Sequence, residues 1–292
     1  MTDDPRWPRA SAWLATGAGP NPGHSPGLAV LGVPCHTTSI SPTGAAATPA
    51  AVRAALARFS TWAGDLDLAT LGAVDLGDID DPDTDDGERR TIQAVREQDC
   101  PVIAIGGDNS LTYAVATGSQ ADGLITLDAH HDLRDGRSNG SPVQRLLTDG
   151  LDGRRVVQIG INDFSNSPEY AARARDLGIT VISRDALADR PMRDVMAEAL
   201  ELAGCGPARR VHLDLDVDVC DRAVVPGCPA SAPGGISAHD LRLAARFGAR
   251  DPRVVSMDIA EVDATADSAD GRTVRLAALL VLELAAGVAR RY

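Results

Sequence analysis

No CxxC pair, no internal repeat and no apolar run long enough to span a bilayer occurs in this 292-residue chain. The five cysteines, Cys35, Cys100, Cys205, Cys220 and Cys228, are odd in number and unpatterned. Reduced thiols fit them better than a disulfide scaffold. The strongest apolar segment, 276–289, is broken by Glu283 and too short to cross a membrane, so it should be a final helix packed on the core. Basic residues are outnumbered, 28 Arg and Lys against 41 Asp and Glu, and the resulting net charge of −13 argues against nucleic-acid binding. The acidic start, Met1-Thr2-Asp3-Asp4-Pro5, lacks the hydrophobic stretch of a signal peptide, so a cytoplasmic location is expected.

What is present alternates. Apolar runs of strand length lie at 28–33, 69–74, 102–105, 124–127, 156–161, 180–182, 211–217 and 254–259. Segments with helical spacing separate most of them, at 49–59, 88–98, 111–117, 143–148, 169–177, 192–203 and 238–247. Such alternation predicts an α/β fold, a mostly parallel sheet with helices on both faces. The runs are largely apolar, as strands buried on both sides require. Residues 1–27, rich in Pro, Gly, Ala and Trp without periodicity, read as an irregular arm, and 28–292 as one domain.

Polar clusters follow several of these runs: Asp75–Asp78, Gly106–Ser110, Asp128–Arg134, Asp216–Asp221 and Glu261–Asp263. In parallel sheets ligands bind beyond the carboxyl ends of the strands. Asp128, His130 and Asp132 alternate as DxHxD, so an extended backbone points all three to one side, and Asp216 and Asp218 share a face likewise. So much negative charge beside a hydrophobic core is costly unless cations neutralise it. Carboxylates with little imidazole suit a hard or borderline ion such as Mn2+. The competing reading, that these residues merely cap turns, would win for a lone DxD but not for two acidic strand ends. His131 should point away from His130, as a packing or substrate-rim residue, and His212 should be a hydrogen-bonded core histidine. Asp81 to Gly87 imitates a calcium loop, but its glycine falls one place late and no glutamate closes it.

Gly106-Gly107-Asp108-Asn109-Ser110, Asp128-Ala129-His130-His131-Asp132 and Asp214-Leu215-Asp216-Val217-Asp218 together resemble the ureohydrolases, the family of arginase, agmatinase and formimidoylglutamase. The resemblance implies a three-layer α/β/α fold around an eight-stranded sheet and a binuclear manganese centre, two Mn2+ per chain. It also implies a homo-oligomer, trimer or hexamer, acting on a small amidine or guanidine. Carried over by position, Asp128 and Asp216 would bridge the ions. Asn109 and Asp132 would complete one shell, and His130 and Asp218 the other. Asp132 would orient the attacking water and pass its proton to the leaving amine, while Glu261 would hold the cationic amidine.

Two departures matter. Asn109 stands where the family has histidine, so that ion should bind less tightly. Asn139 stands where arginases and agmatinases carry a proton-shuttle histidine. Formimidoylglutamases also lack the shuttle and carry the Asp-Leu-Arg of Asp132-Leu133-Arg134. Arg134, with Asn139 and Ser141, is therefore expected to bind substrate, Arg134 by pairing with a carboxylate. The implied reaction is Mn-dependent hydrolysis of N-formimidoyl-L-glutamate to L-glutamate and formamide, in histidine breakdown. The alternatives are an amidinohydrolase of another guanidino acid or amine (guanidinobutyrase, agmatinase or arginase type) and a metal-poor pseudoenzyme with a binding role.

Overall fold

The computed structural model describes residue 4 and residues 6–15, 26–206 and 209–291. Among them, eight strands form one fully parallel sheet: β1 (Leu28–Val33), β2 (Ala73–Asp78), β3 (Val102–Gly106), β4 (Gly123–Leu127), β5 (Val156–Ile161), β6 (Thr180–Ser183), β7 (Val211–Asp216) and β8 (Val254–Ala260). Their order across the sheet is β2-β1-β3-β8-β7-β4-β5-β6.

Alternation along each strand sorts side chains to two helical layers. In β1, Leu28 and Val30 join a core with α2 (Thr48–Ala55), α7 (Met192–Ala203), α8 (Ala238–Arg250) and α9 (Arg272–Ala289). Ala29, Leu31 and Val33 face the other way, towards α3 (Asp85–Arg96) and α4 (Leu111–Gly118). Further along that second face lie α5 (Pro142–Thr148) and α6 (Pro168–Asp176). The expected three-layer α/β/α architecture is what the chain adopts. No helix among the described residues is long and apolar enough to cross a membrane.

Three segments differ from expectation. The strand expected at 69–74 runs instead from Ala73 to Asp78, and Leu68–Thr70 is a single 3-10 turn capped by Asp67, which accepts the Ala69 N–H. Asp75 and Asp78 are tolerated inside a strand because it is the sheet edge, where Arg53 clamps both, with Nε 2.8 Å from Asp75 Oδ2. That cluster is thus structural. Within the arm expected to be irregular, Ala10–Ala15 forms a short helix, with Trp13 buried and its indole N–H donating to the Leu71 carbonyl at 2.9 Å. Residues 16–25 of that arm lie outside the described residues. The acidic loop before α3 belongs to the helix start: the Thr84 hydroxyl caps it by accepting the Gly87 N–H.

Glu283, the interruption in the last apolar segment, is 5% exposed. Its two oxygens accept Arg242 Nε at 2.8 Å and Arg246 Nε at 2.5 Å, one turn apart on α8. Hydrogen bonds between charged partners contribute about 1.5–3 kcal/mol each, reduced here because the arginines keep contact with water. Glu283→Ala is expected to lower unfolding free energy by about 1–3 kcal/mol, read from urea denaturation. An unchanged midpoint would show that the α8–α9 contact does not depend on this pair.

Candidate metal centre

The four central strands, β3, β8, β7 and β4, end together, and each delivers chemistry from its carboxyl end: Asn109 beyond β3, Glu261 beyond β8, Asp216 at the end of β7 with Asp218 following, and Asp128 beyond β4. Backbone donors fix these carboxylates one oxygen at a time. Asp128 Oδ1 accepts the His130 N–H at 2.5 Å, Asp216 Oδ1 accepts the Asp218 N–H at 2.8 Å, and Asp218 Oδ1 accepts the Ala129 N–H at 2.9 Å. The last of these ties the end of β7 to the end of β4. Glu261 Oε1 receives the Asn109 N–H at 2.9 Å and Asn139 Nδ2 at 2.8 Å.

Two of these residues are held in left-handed backbone: Asp132 at φ 51° and Glu261 at φ 59°. That region is disfavoured for side chains with a Cβ, and neither is a glycine. Both residues nevertheless line the cavity at the strand ends.

Ligand atoms of Asp128, His130 and Asp218 lie within 4.8 Å of one another. His130 Nδ1 is 2.7 Å from Asp218 Oδ2 and 3.6 Å from Asp128 Oδ1. Burial pulls the His130 pKa down, but Asp218 and Asp128 outweigh it and push it up to about 12. Asp218 is lowered in turn, its burial overcome by His130. In the other acids burial prevails, at Asp128 even against its contact with His130. Burial and then Asp218 raise Asp128 to about 7. Asp132 and Asp216 rise well above the carboxylate range, through burial and then Asp128 and Asp218 respectively. Burial lifts Glu261 to about 8 against the bond from Asn139. Asp128 Oδ2 is buried with no hydrogen-bond partner. An orphaned carboxylate oxygen in a cluster where every acid but Asp218 resists ionisation is the donor set a divalent cation fits.

Asn109 is 1% exposed and reaches the site, but with its nitrogen: Nδ2 donates to Asp132 Oδ2 at 2.7 Å while Oδ1 accepts the Thr112 hydroxyl at 2.7 Å. A half-turn of the amide exchanges the two ends, because the Thr112 oxygen also accepts. Only then does Asn109 offer a ligand oxygen.

Above the acids opens a cavity of about 400 Å³, lined by His130, Asp132, Asp216, Asp218 and Glu261 at its floor and by Arg134, Asn139, Ile40, Phe164 and Tyr170 higher up. The exposed guanidinium of Arg134 has no hydrogen-bond or ion-pair partner among the described residues. Ser141 is a correction: it is fully buried, its hydroxyl bonded to that of Ser138 at 2.8 Å, and it does not line the cavity, because it closes the turn into α5. Asn139 does line it, with its oxygen taken by the Ile40 N–H at 3.0 Å and its nitrogen by Glu261. His131 and His212 behave as expected. His212 is fully buried between Ser256 and Asp258, and His131 faces Gln158. Sequence reasoning missed Ile40, Phe164 and Tyr170; the one available signal was an apolar Phe164 inside the polar run from Asn162 to Ser167.

The arginase family profile matches residues 26–287. A formimidoylglutamase of Halalkalibacterium halodurans is 37% identical over 283 residues, 89% of this chain and 87% of that protein. The crystal structure of formimidoylglutamase from Bacillus subtilis superposes with a TM-score of 0.88 at 32% identity, over 98% of this chain and 94% of that one. A Trypanosoma cruzi formiminoglutamase crystallised with Mn2+ shares the fold, with a TM-score of 0.86 at 22% identity. With nearly the whole chain covered by sequence and by structure alike, it belongs to the arginase family.

Proposed function

We propose that this protein is a Mn2+-dependent formimidoylglutamase, hydrolysing N-formimidoyl-L-glutamate to L-glutamate and formamide. The observation that carries the reading is the unpartnered Arg134 at the mouth of an acid-floored cavity. A floor of carboxylates suits metal ions and a cationic amidine, whereas a free guanidinium above it suits an anionic tail. Formimidoylglutamate carries both. The formimidoylglutamases among its relatives support the same substrate.

Asp128, His130 and Asp218 would hold one ion, and Asn109, Asp132 and Asp216 the second, with Asp128 and Asp216 shared. When bound, the two cations supply a water acidified enough to attack at neutral pH and polarise the amidine carbon. Glu261 keeps Oε1 tied to Asn109 and Asn139, which leaves Oε2 to accept from the amidine. With the Asn109 amide turned to offer its oxygen, Asp132 Oδ2 is released towards the ion, and Oδ1 would take a proton and return it to the leaving nitrogen. Asn139 cannot shuttle protons, so Asp132 performs that transfer without a histidine relay. Cationic substrates such as agmatine are disfavoured by repulsion from Arg134.

Formamide should appear when Mn2+-loaded protein meets formimidoylglutamate, with no urea from arginine, agmatine or guanidinobutyrate; the reverse pattern would overturn the substrate. Arg134→Ala should raise KM about tenfold or more with a smaller change in kcat, since binding remote from the reacting carbon is largely uniform. An unchanged KM would return Arg134 to the surface. Asp128→Ala and Asp216→Ala should each abolish turnover and release both ions, and elemental analysis finding two metals per chain in either variant would falsify the bridging assignment.

A further inference from the structure

His131 sits beside a proposed metal ligand, lines the cavity, and has no role in the mechanism above. Its surroundings fix which of its ring nitrogens carries the proton. Gln158, on β5 and fully buried, donates Nε2 to the backbone carbonyl of His131 at 2.8 Å. A carbonyl oxygen only accepts, so the amide has one permitted orientation, and its Oε1 faces His131 Nδ1 at 2.6 Å. Oε1 also only accepts, so Nδ1 must be the protonated nitrogen. The ring is buried against a neutral amide with no carboxylate in hydrogen-bond contact, and a neutral imidazole protonated at Nδ1 bears a lone pair on Nε2. The backbone is fixed as well, since the His131 N–H donates to Asn166 Oδ1 at 3.0 Å. The two nitrogens point to opposite sides of the ring. Nδ1 is held by Gln158, Nε2 has no partner among the described residues, and the residue lines the cavity.

We propose that His131 Nε2 accepts a hydrogen bond from the N–H that joins the formimidoyl group to glutamate, making His131 a specificity-determining residue. Topology supports the pairing. Glu261 follows β8 and His131 follows β4, and both line the cavity that Asp216 and Asp218 also line. An amidine presents N–H groups in two opposed directions and suits acceptors on both sides. A lone pair at this point also repels a carboxylate, which leaves the carboxylate to Arg134. Gln158 acts through His131 as a positioning residue, by locking the tautomer.

The inference rests on the formimidoylglutamate reading, and formamide release by the wild-type holoenzyme tests that reading separately. The test of His131 compares kcat/KM for formimidoylglutamate with that for its analogue methylated on the linking nitrogen, which lacks the N–H. Wild-type enzyme should prefer the natural substrate by about tenfold or more, the worth of one hydrogen bond in a site out of water. His131→Leu keeps the bulk without the acceptor and should erase that preference, by losing activity on the natural substrate while the analogue changes little. His131→Gln, whose amide oxygen reaches the Nε2 position, should restore most of it. Mn2+ content should stay at the wild-type level in both variants. Equal losses on the two substrates, or a preference retained in His131→Leu, would overturn the proposal.

Discussion

Mutual repulsion among five buried carboxylates, those of Asp128, Asp132, Asp216, Asp218 and Glu261, is the constraint around which the rest of the structure is arranged. Each is at most 8% exposed, and His130 is the single cationic partner within the group. Charges in a low-dielectric interior repel strongly, and a cluster of this kind is kept only where something positive offsets it. The protein contributes dipoles: backbone N–H groups of His130, Asp218, Ala129 and Asn109 each hold one oxygen. The opposite oxygens are left to a cation or a proton.

A second polar layer lies below the first. Thr126, Asp214 and Asp258 stand side by side across β4, β7 and β8, in direct register and fully or almost fully buried. Asp214 is raised well above the carboxylate range, by burial and then by Asp258. His212 continues the row, with Nε2 3.1 Å from Asp258 Oδ2 and Nδ1 2.8 Å from Ser256, whose hydroxyl reaches Ser119. The centre of the sheet is therefore polar on its α4 face and apolar on its α9 face. On the polar side, the His212 bonds to Ser256 and Asp258 join β7 to β8.

Much of this was legible in the chain because it obeys simple periodicity. β1 and β5 have the bounds that the apolar runs implied, and His130, Asp132, Asp216 and Asp218 of the DxHxD and DxD runs line one cavity. What escaped is what periodicity does not encode. The β2 strand was misplaced because its acids read as a loop, when Arg53 at the sheet edge neutralises them. Ser141 looked like a substrate contact by position but turns inward at a helix start. The left-handed backbone at Asp132 and Glu261, and the nitrogen that Asn109 shows to Asp132, are set by contacts between distant segments.

The strand order also governs how the molecule comes into being. β2-β1-β3 and β7-β4-β5-β6 are two separate blocks that share no strand pairing, and β8, the last strand in the chain, is the piece inserted between them. A ribosome must deliver nearly the whole polypeptide before the blocks can be joined. Until then Asn109 belongs to one block while Asp128, Asp132 and Asp216 belong to the other. The nascent chain thus holds Asp132 apart from Asn109 through most of synthesis, and a chain cut short before β8 would leave two open sheet edges where the finished protein has its core.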